Sequence, residues 1–157
     1  MKRILSFLCV ILLFSAVCAG EEISYEKQIE TMADKLGGLD IFLKTGTIDL
    51  GSFDRWYKDF KPLGEEFIKT FSMSYRQRES FQFARKGIEG LSSAHEMLYQ
   101  AQDAEREYRE TITNNPSDVK YANEWKEKQI HKRKAALEAI ISSVEALKNS
   151  KVSLTKG

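Results

Sequence analysis

The sequence predicts an all-α fold, an elongated antiparallel helical bundle or helical hairpin with a long bent central helix and a shorter N-terminal helix. Three observations carry this. Residues 53–112 place Phe53, Trp56, Phe60, Leu63, Phe67, Phe71, Tyr75, Phe81, Ala84, Ile88, Leu91, His95, Leu98, Tyr108 and Ile112 at helical steps, the period of one helix face and not the alternation of a strand. A second run, with Val119, Ala122, Trp125, Ile130, Leu137, Ile140, Ile141, Val144 and Leu147, repeats that spacing after a turn signal at Asn115 and Pro116. Pro and Gly are scarce after residue 52, and Ala, Glu, Lys and Gln are abundant, as helices prefer.

The first twenty residues read as a signal peptide. Lys2 and Arg3 precede an apolar run over residues 4–14, too short to cross a bilayer as a helix. Val17, Cys18 and Ala19 then fit the small-residue rule of a cleavage site, with the cut after Ala19 or Gly20. A retained anchor is disfavoured because no stop-transfer pattern follows. A lipoprotein acylated on Cys18 is disfavoured because Val17 stands where Gly or Ala is usual and Ser15 where Leu is usual. The expected product is exported, periplasmic or secreted, without a membrane span after cleavage.

Cleavage removes both cysteines, so the mature chain has no disulfide to exploit. It also removes Lys2 and Arg3, leaving 22 of the 24 basic residues against 23 acidic ones, a net charge of −1. That balance implies neither nucleic acid nor an acidic substrate. About 137 mature residues suit one helical domain over 21–150, with a frayed tail over 151–157.

In chain order, Tyr25, Ile29, Met32, Ala33 and Leu36 mark the short first helix, ended by Gly37 and Gly38 at a left-handed C-cap. Residues 39–51 are the least helical, and read as a loop over the bundle in preference to a small hairpin turning at Thr45 and Gly46. Ser52 is placed to cap the long helix. Unbroken, that helix would span roughly 90 Å, so either the molecule is elongated or the helix bends, with Pro62 and the pair Gly87 and Gly90 as the places to bend. Asn115 suits the N-cap of the returning helix and Pro116 its first position. Leu137, Ile140, Val144 and Leu147 form a heptad seam against the long helix.

The sequence points away from an enzyme. His95 sits on the apolar stripe, where a lone histidine reads as a hydrogen-bonded packing residue, and His131 lies in a basic run. No second ligand recurs at metal spacing, and no nucleophile, paired-carboxylate or phosphate-loop motif is present, so no catalytic residue, cofactor or metal is assigned. The basic and aromatic run over residues 75–86 has the composition of a single-strand nucleic-acid site. Behind a signal peptide it reads as a core stripe with a solvated basic face, so nucleic acid is not an expected partner.

Nine aromatics crowd residues 53–83, more than one helix face holds. Phe81 and Phe83, two apart, cannot share a face. A surplus of aromatic surface predicts an adhesive patch, with Phe53, Trp56, Tyr57, Phe60, Phe71, Tyr75 and Phe83 as candidate contacts for another protein or a second copy.

An exported protein with a long central helix and a last helix containing Ala122, Asn123, Glu124, Trp125, Lys126, Glu127, Lys128, Gln129 and Ile130 is similar to the minor pilus-tip subunits of conjugative type IV secretion systems. The family's glycine in this run is absent here, the chain is shorter, and no functional residue carries over. The resemblance implies a non-enzymatic component of a bacterial envelope or secretion assembly, acting through protein contacts. The alternative is a periplasmic chaperone-like or hydrophobic-ligand-binding module built on the aromatic end.

Overall fold

The computed structural model describes residues 24–155; the expected signal peptide and its cleavage site lie outside them. The helices are α1 (Tyr25–Lys35), α2 (Asp40–Thr45), α3 (Leu50–Phe71), α4 (Glu79–Asn114) and α5 (Val119–Leu154), with a 3-10 turn, Leu36–Leu39, between α1 and α2. No strand occurs among the described residues, and the all-α bundle expected from periodicity is what forms. None of these helices is long and apolar enough to cross a membrane.

The long helix expected over 53–112 is two antiparallel helices. Neither Pro62 nor the glycine pair breaks it; Pro62 lies inside α3, and Gly87 and Gly90 inside α4. The reversal falls at residues 72–78, where Tyr75 N–H donates to the Phe71 carbonyl and Arg78 turns extended. Its cause is tertiary. Turning there stacks Tyr75 on Tyr25, ring centres 4.2 Å apart, and lays Phe81 on Phe67 at 5.6 Å, a burial that outweighs a few residues of helix propensity.

Other ends differ from expectation by one physical detail each. Gly37 and Gly38 do not take the left-handed form, since among the described residues only Gly46 has positive φ, at 64°. A Cβ on Gly38 would come within 2.6 Å of Trp56 Cδ1, so close packing explains that glycine. Residues 39–51 hold α2, not a hairpin or plain loop, because Phe42 buries inward and Gly46 closes the helix. Asp49, not Ser52, caps α3: its Oδ2 accepts from Ser52 N–H at 2.8 Å, and these bonds lower the Asp49 pKa. Asn115 ends α4, and Asp118 caps α5 by accepting from Tyr121 N–H. Helix α5 runs to Leu154, into the tail expected to fray over 151–157, and the buried Ser150 hydroxyl just before it donates to the Ser80 carbonyl at 2.7 Å.

Helices α1, α3, α4 and α5 share one core at the base of the molecule. Ile29, Met32, Phe53, Phe60, Phe67, Phe81, Leu91, Ile140 and Leu147 are buried there. Helix α3 reaches only as far along α4 as His95 and Tyr99, which bond to Asp54. Beyond that level α4 and α5 continue as a two-helix arm, residues 100–114 and 119–132, about 22 Å long at 1.5 Å per residue. Its seam is made of small side chains, Ala101, Ala104 and Ala122, and an interhelical clamp locks it. Glu105 accepts from Arg109 on its own helix and from Gln129 and Arg133 on α5, which lowers its pKa, the Arg109 bond first.

Candidate functional site

The aromatic end is interior. Phe53, Tyr57, Phe60 and Phe71 are buried, while Trp56, Tyr75 and Phe83 are half-buried. The surplus disappears because the N-terminal segment brings its own aromatic cover. Tyr25 stacks on Tyr75 and meets the Phe71 edge at 5.2 Å. Phe42 packs edge-on to Phe53, Trp56 donates to the Lys35 carbonyl at 3.0 Å, and Arg78 lies 4.6 Å over Tyr75. The expected adhesive patch is therefore mostly core. Tyr25 and Phe42 were legible as aromatics but not as its lid.

Next to that core sits a polar cluster. Asp54 accepts from His95 Nε2 at 2.8 Å, from Lys58 at 2.8 Å and from Tyr99 at 3.2 Å. Its side chain is 16% exposed. The three donors, Lys58 foremost and then His95, hold the Asp54 carboxyl down at about 2, and the same pair raises Lys58. The His95 ring packs 4.4 Å from Tyr57 and 4.9 Å from Tyr99. The carboxylate uses Oδ1 to tie α3 to His95 and Tyr99 of α4 and Oδ2 to hold Lys58 on its own helix. Among the described residues no group of three or more His, Cys, Asp or Glu is placed to hold a metal.

A half-open groove of about 370 Å³ lies between α1 and α3, lined by Gln28, Thr31, Met32, Pro62, Leu63 and Glu66. It is apolar at its floor and polar at its lip, large enough for part of an aliphatic chain.

The surface that the sequence reading assigned to the wrong side is on α5. Val119, Ile130, Ile141 and Val152 are 60, 57, 48 and 49% exposed, although the first three sit in a run that reads as core. They recur at eleven-residue intervals. Eleven residues are three turns plus about 20°, so the four side chains form one nearly straight line of roughly 50 Å along α5. The core of the same helix is built from Ala136, Ile140, Val144 and Leu147, a different face. The interval was in the sequence, but steps of three and four also connect these residues to core positions, and only packing separates the two stripes.

On the arm, a second groove of about 300 Å³ opens between Gln100, Asp103, Ala104, Arg106 and Glu107 of α4 and Trp125, Lys128 and Lys132 of α5. Trp125 Nε1 is the one buried side-chain nitrogen or oxygen among the described residues without a hydrogen-bond partner, a state that costs about 1–3 kcal/mol. The Lys128 ammonium lies 4.3 Å over the indole ring.

The chain matches no family model, no curated protein and no solved structure.

Proposed function

We propose that this chain is a non-enzymatic exported helical protein that works through protein contacts as a component of an envelope or secretion assembly, with the arm and the outward stripe of α5 as its contact surface. The stripe carries this reading. Four branched aliphatic side chains in line, each half-exposed, are not needed for the core, and a helix laid along them would bury them together. Covering the exposed half of each contributes about 1 kcal/mol, so the four supply about 4 kcal/mol, no more than the low end of the cost of association itself. A useful complex needs further polar contacts beside them.

The test is chemical cross-linking and co-purification of the full chain from the cell envelope, comparing wild type with Ile130→Asp/Ile141→Asp. A partner recovered in fixed proportion with wild type and lost with the variant supports the reading. Retention by the variant, or no partner in fixed proportion, removes it. Mass spectrometry of the N-terminus tests export: a start at Gly20 or Glu21 fits a secreted form, a lipidated Cys18 an anchored one.

The groove at Met32, Pro62 and Leu63 supports a second reading, a module that holds a hydrophobic ligand or client at the aromatic end. Native mass spectrometry of protein purified from membranes tests it, with a bound lipid as the expected finding.

A further inference from the structure

We propose that the groove beside Trp125 receives the carboxylate of a glutamate or aspartate side chain from a protein partner, an inference that rests on the arm being a protein-contact element. The groove is unbalanced in hydrogen-bond donors. The acids of its α4 side share one arginine: Arg106 reaches Asp103 at 3.3 Å, Glu107 at 3.8 Å and Glu110 at 3.9 Å. On the α5 wall, Lys128 and Lys132 form no ion pair among the described residues, whereas Arg133 beside them does. Trp125 adds an indole N–H with no acceptor.

Lys128 is the movable piece. Its ammonium rests over the indole face, close enough that a turn of the exposed side chain brings it to the same oxygen that accepts from the indole N–H. A carboxylate has two oxygens and so satisfies the indole N–H and a lysine together, in charge-assisted bonds of the stronger kind.

The shape favours a single acidic side chain over a polyanion. The groove of about 300 Å³ is side-chain sized, and its α4 wall presents Asp103, Glu107 and, one turn on, Glu110. A phosphate backbone would run its repeating charge against that acidic row, whereas one carboxylate entering from the α5 side meets the lysines first.

The indole N–H resonances of the nitrogen-15-labelled full chain report on this directly. The protein has two tryptophans. Trp56, already donating to the Lys35 carbonyl, is the internal control, and Trp125→Phe assigns the peaks. The probes are an alanine-based helical peptide with glutamate at every fourth position, its glutamine counterpart, and a duplex DNA oligonucleotide. The expected result is a saturable downfield shift of the Trp125 proton with the glutamate peptide, none with the glutamine peptide, an unmoved Trp56, and about tenfold weaker binding in Lys128→Gln/Lys132→Gln. No shift with the glutamate peptide, an equal shift with glutamine, or tighter binding of DNA overturns the proposal. Ile130→Asp/Ile141→Asp separates the two readings: if it loses its partner while Trp125 ignores glutamate, the groove alone is refuted; if Trp125 responds while this variant keeps its partner, the stripe alone is.

Discussion

Gly87 of α4 lies directly against Leu147 of α5: a Cβ at Gly87 would fall 2.6 Å from Leu147 Cγ and 2.9 Å from the Ser143 carbonyl oxygen. The crossing leaves no room for a side chain at this position. Gly90, one turn on, meets the Ser143 hydroxyl, which itself donates to the Ala139 carbonyl at 2.6 Å. Alanine at 87 gains about 1 kcal/mol of helix propensity but drives a methyl into backbone that cannot yield, at about 1–3 kcal/mol. Gly87→Ala is therefore expected to lose about 1 kcal/mol of stability net, read as a lower urea midpoint. Gly37→Ala, whose Cβ meets nothing within 4 Å, is expected to hold stability or gain up to about 1 kcal/mol. Equal midpoints for the two variants would refute the close crossing.

Asp54 makes stability depend on acid. Its carboxyl falls on folding from an ordinary 3.8 to about 2 because Lys58, His95 and Tyr99 donate to it. A group whose pKa drops on folding stabilises the fold above its unfolded value, and that contribution fades as the pH falls through the folded value. The loss is thus expected between pH 3.8 and about 2. Asp54→Asn is expected to be less stable at neutral pH and to show a flatter decline across that window, measured by thermal melts at stepped pH. Parallel declines would show that the carboxylate is not coupled to folding.

The helices were legible because their periodicity is long and strong, and so was the reversal at Asn115 and Pro116; the reversal between α3 and α4 was not. At residues 72–78 the only local sign of a break is weak: Phe71 to Tyr75 is a step of four, but Tyr75 to Phe81 is a step of six, which leaves the stripe. The reversal is decided by Tyr25, about fifty residues upstream, which the single-sequence pattern does not connect to Tyr75. Conversely, Pro62 is a strong local breaker that α3 absorbs, since it is exposed and its helix is held by Phe60 and Phe67 on the buried side. The burial of the aromatic candidates has a related cause. Counting aromatics identified where apolar area is concentrated, but concentration in sequence coincided with the core, while the sparse residues Val119, Ile130, Ile141 and Val152 were left outside.

Tyr25 is predicted to be the keystone of the reversal. Its hydroxyl shares a 2.8 Å hydrogen bond with Ser80 Oγ, and its ring touches Phe67, Phe71 and Tyr75. Tyr25→Phe keeps the stacking and loses the bond, an expected cost of about 1 kcal/mol. Tyr25→Ala loses both and is expected to cost about 3–5 kcal/mol. Burial raises the Tyr25 pKa above 10.0, so its contribution is complete below pH 10 and fades as the pH rises through the elevated folded value. In urea titrations at alkaline pH, Tyr25→Phe should therefore decline less steeply than wild type; an identical decline would show that the phenol is not the group responsible.

Pro62 carries the prediction that divides structure from function. Having no N–H, it cannot donate to the carbonyl of Lys58, four residues back in α3. A proline in an exposed helix interior costs about 3 kcal/mol relative to alanine, and Pro62 is exposed; its restriction of the unfolded chain returns up to about 1 kcal/mol. Pro62→Ala is expected to raise stability by about 2–3 kcal/mol in urea unfolding, because it restores the bond without touching the core. Pro62 also walls the groove with Met32 and Leu63. If that groove holds a hydrophobic ligand, Pro62→Ala should be more stable yet recover less bound lipid in native mass spectrometry. If stability rises and lipid recovery stays the same, the proline is tolerated by the helix and the groove is not a binding site.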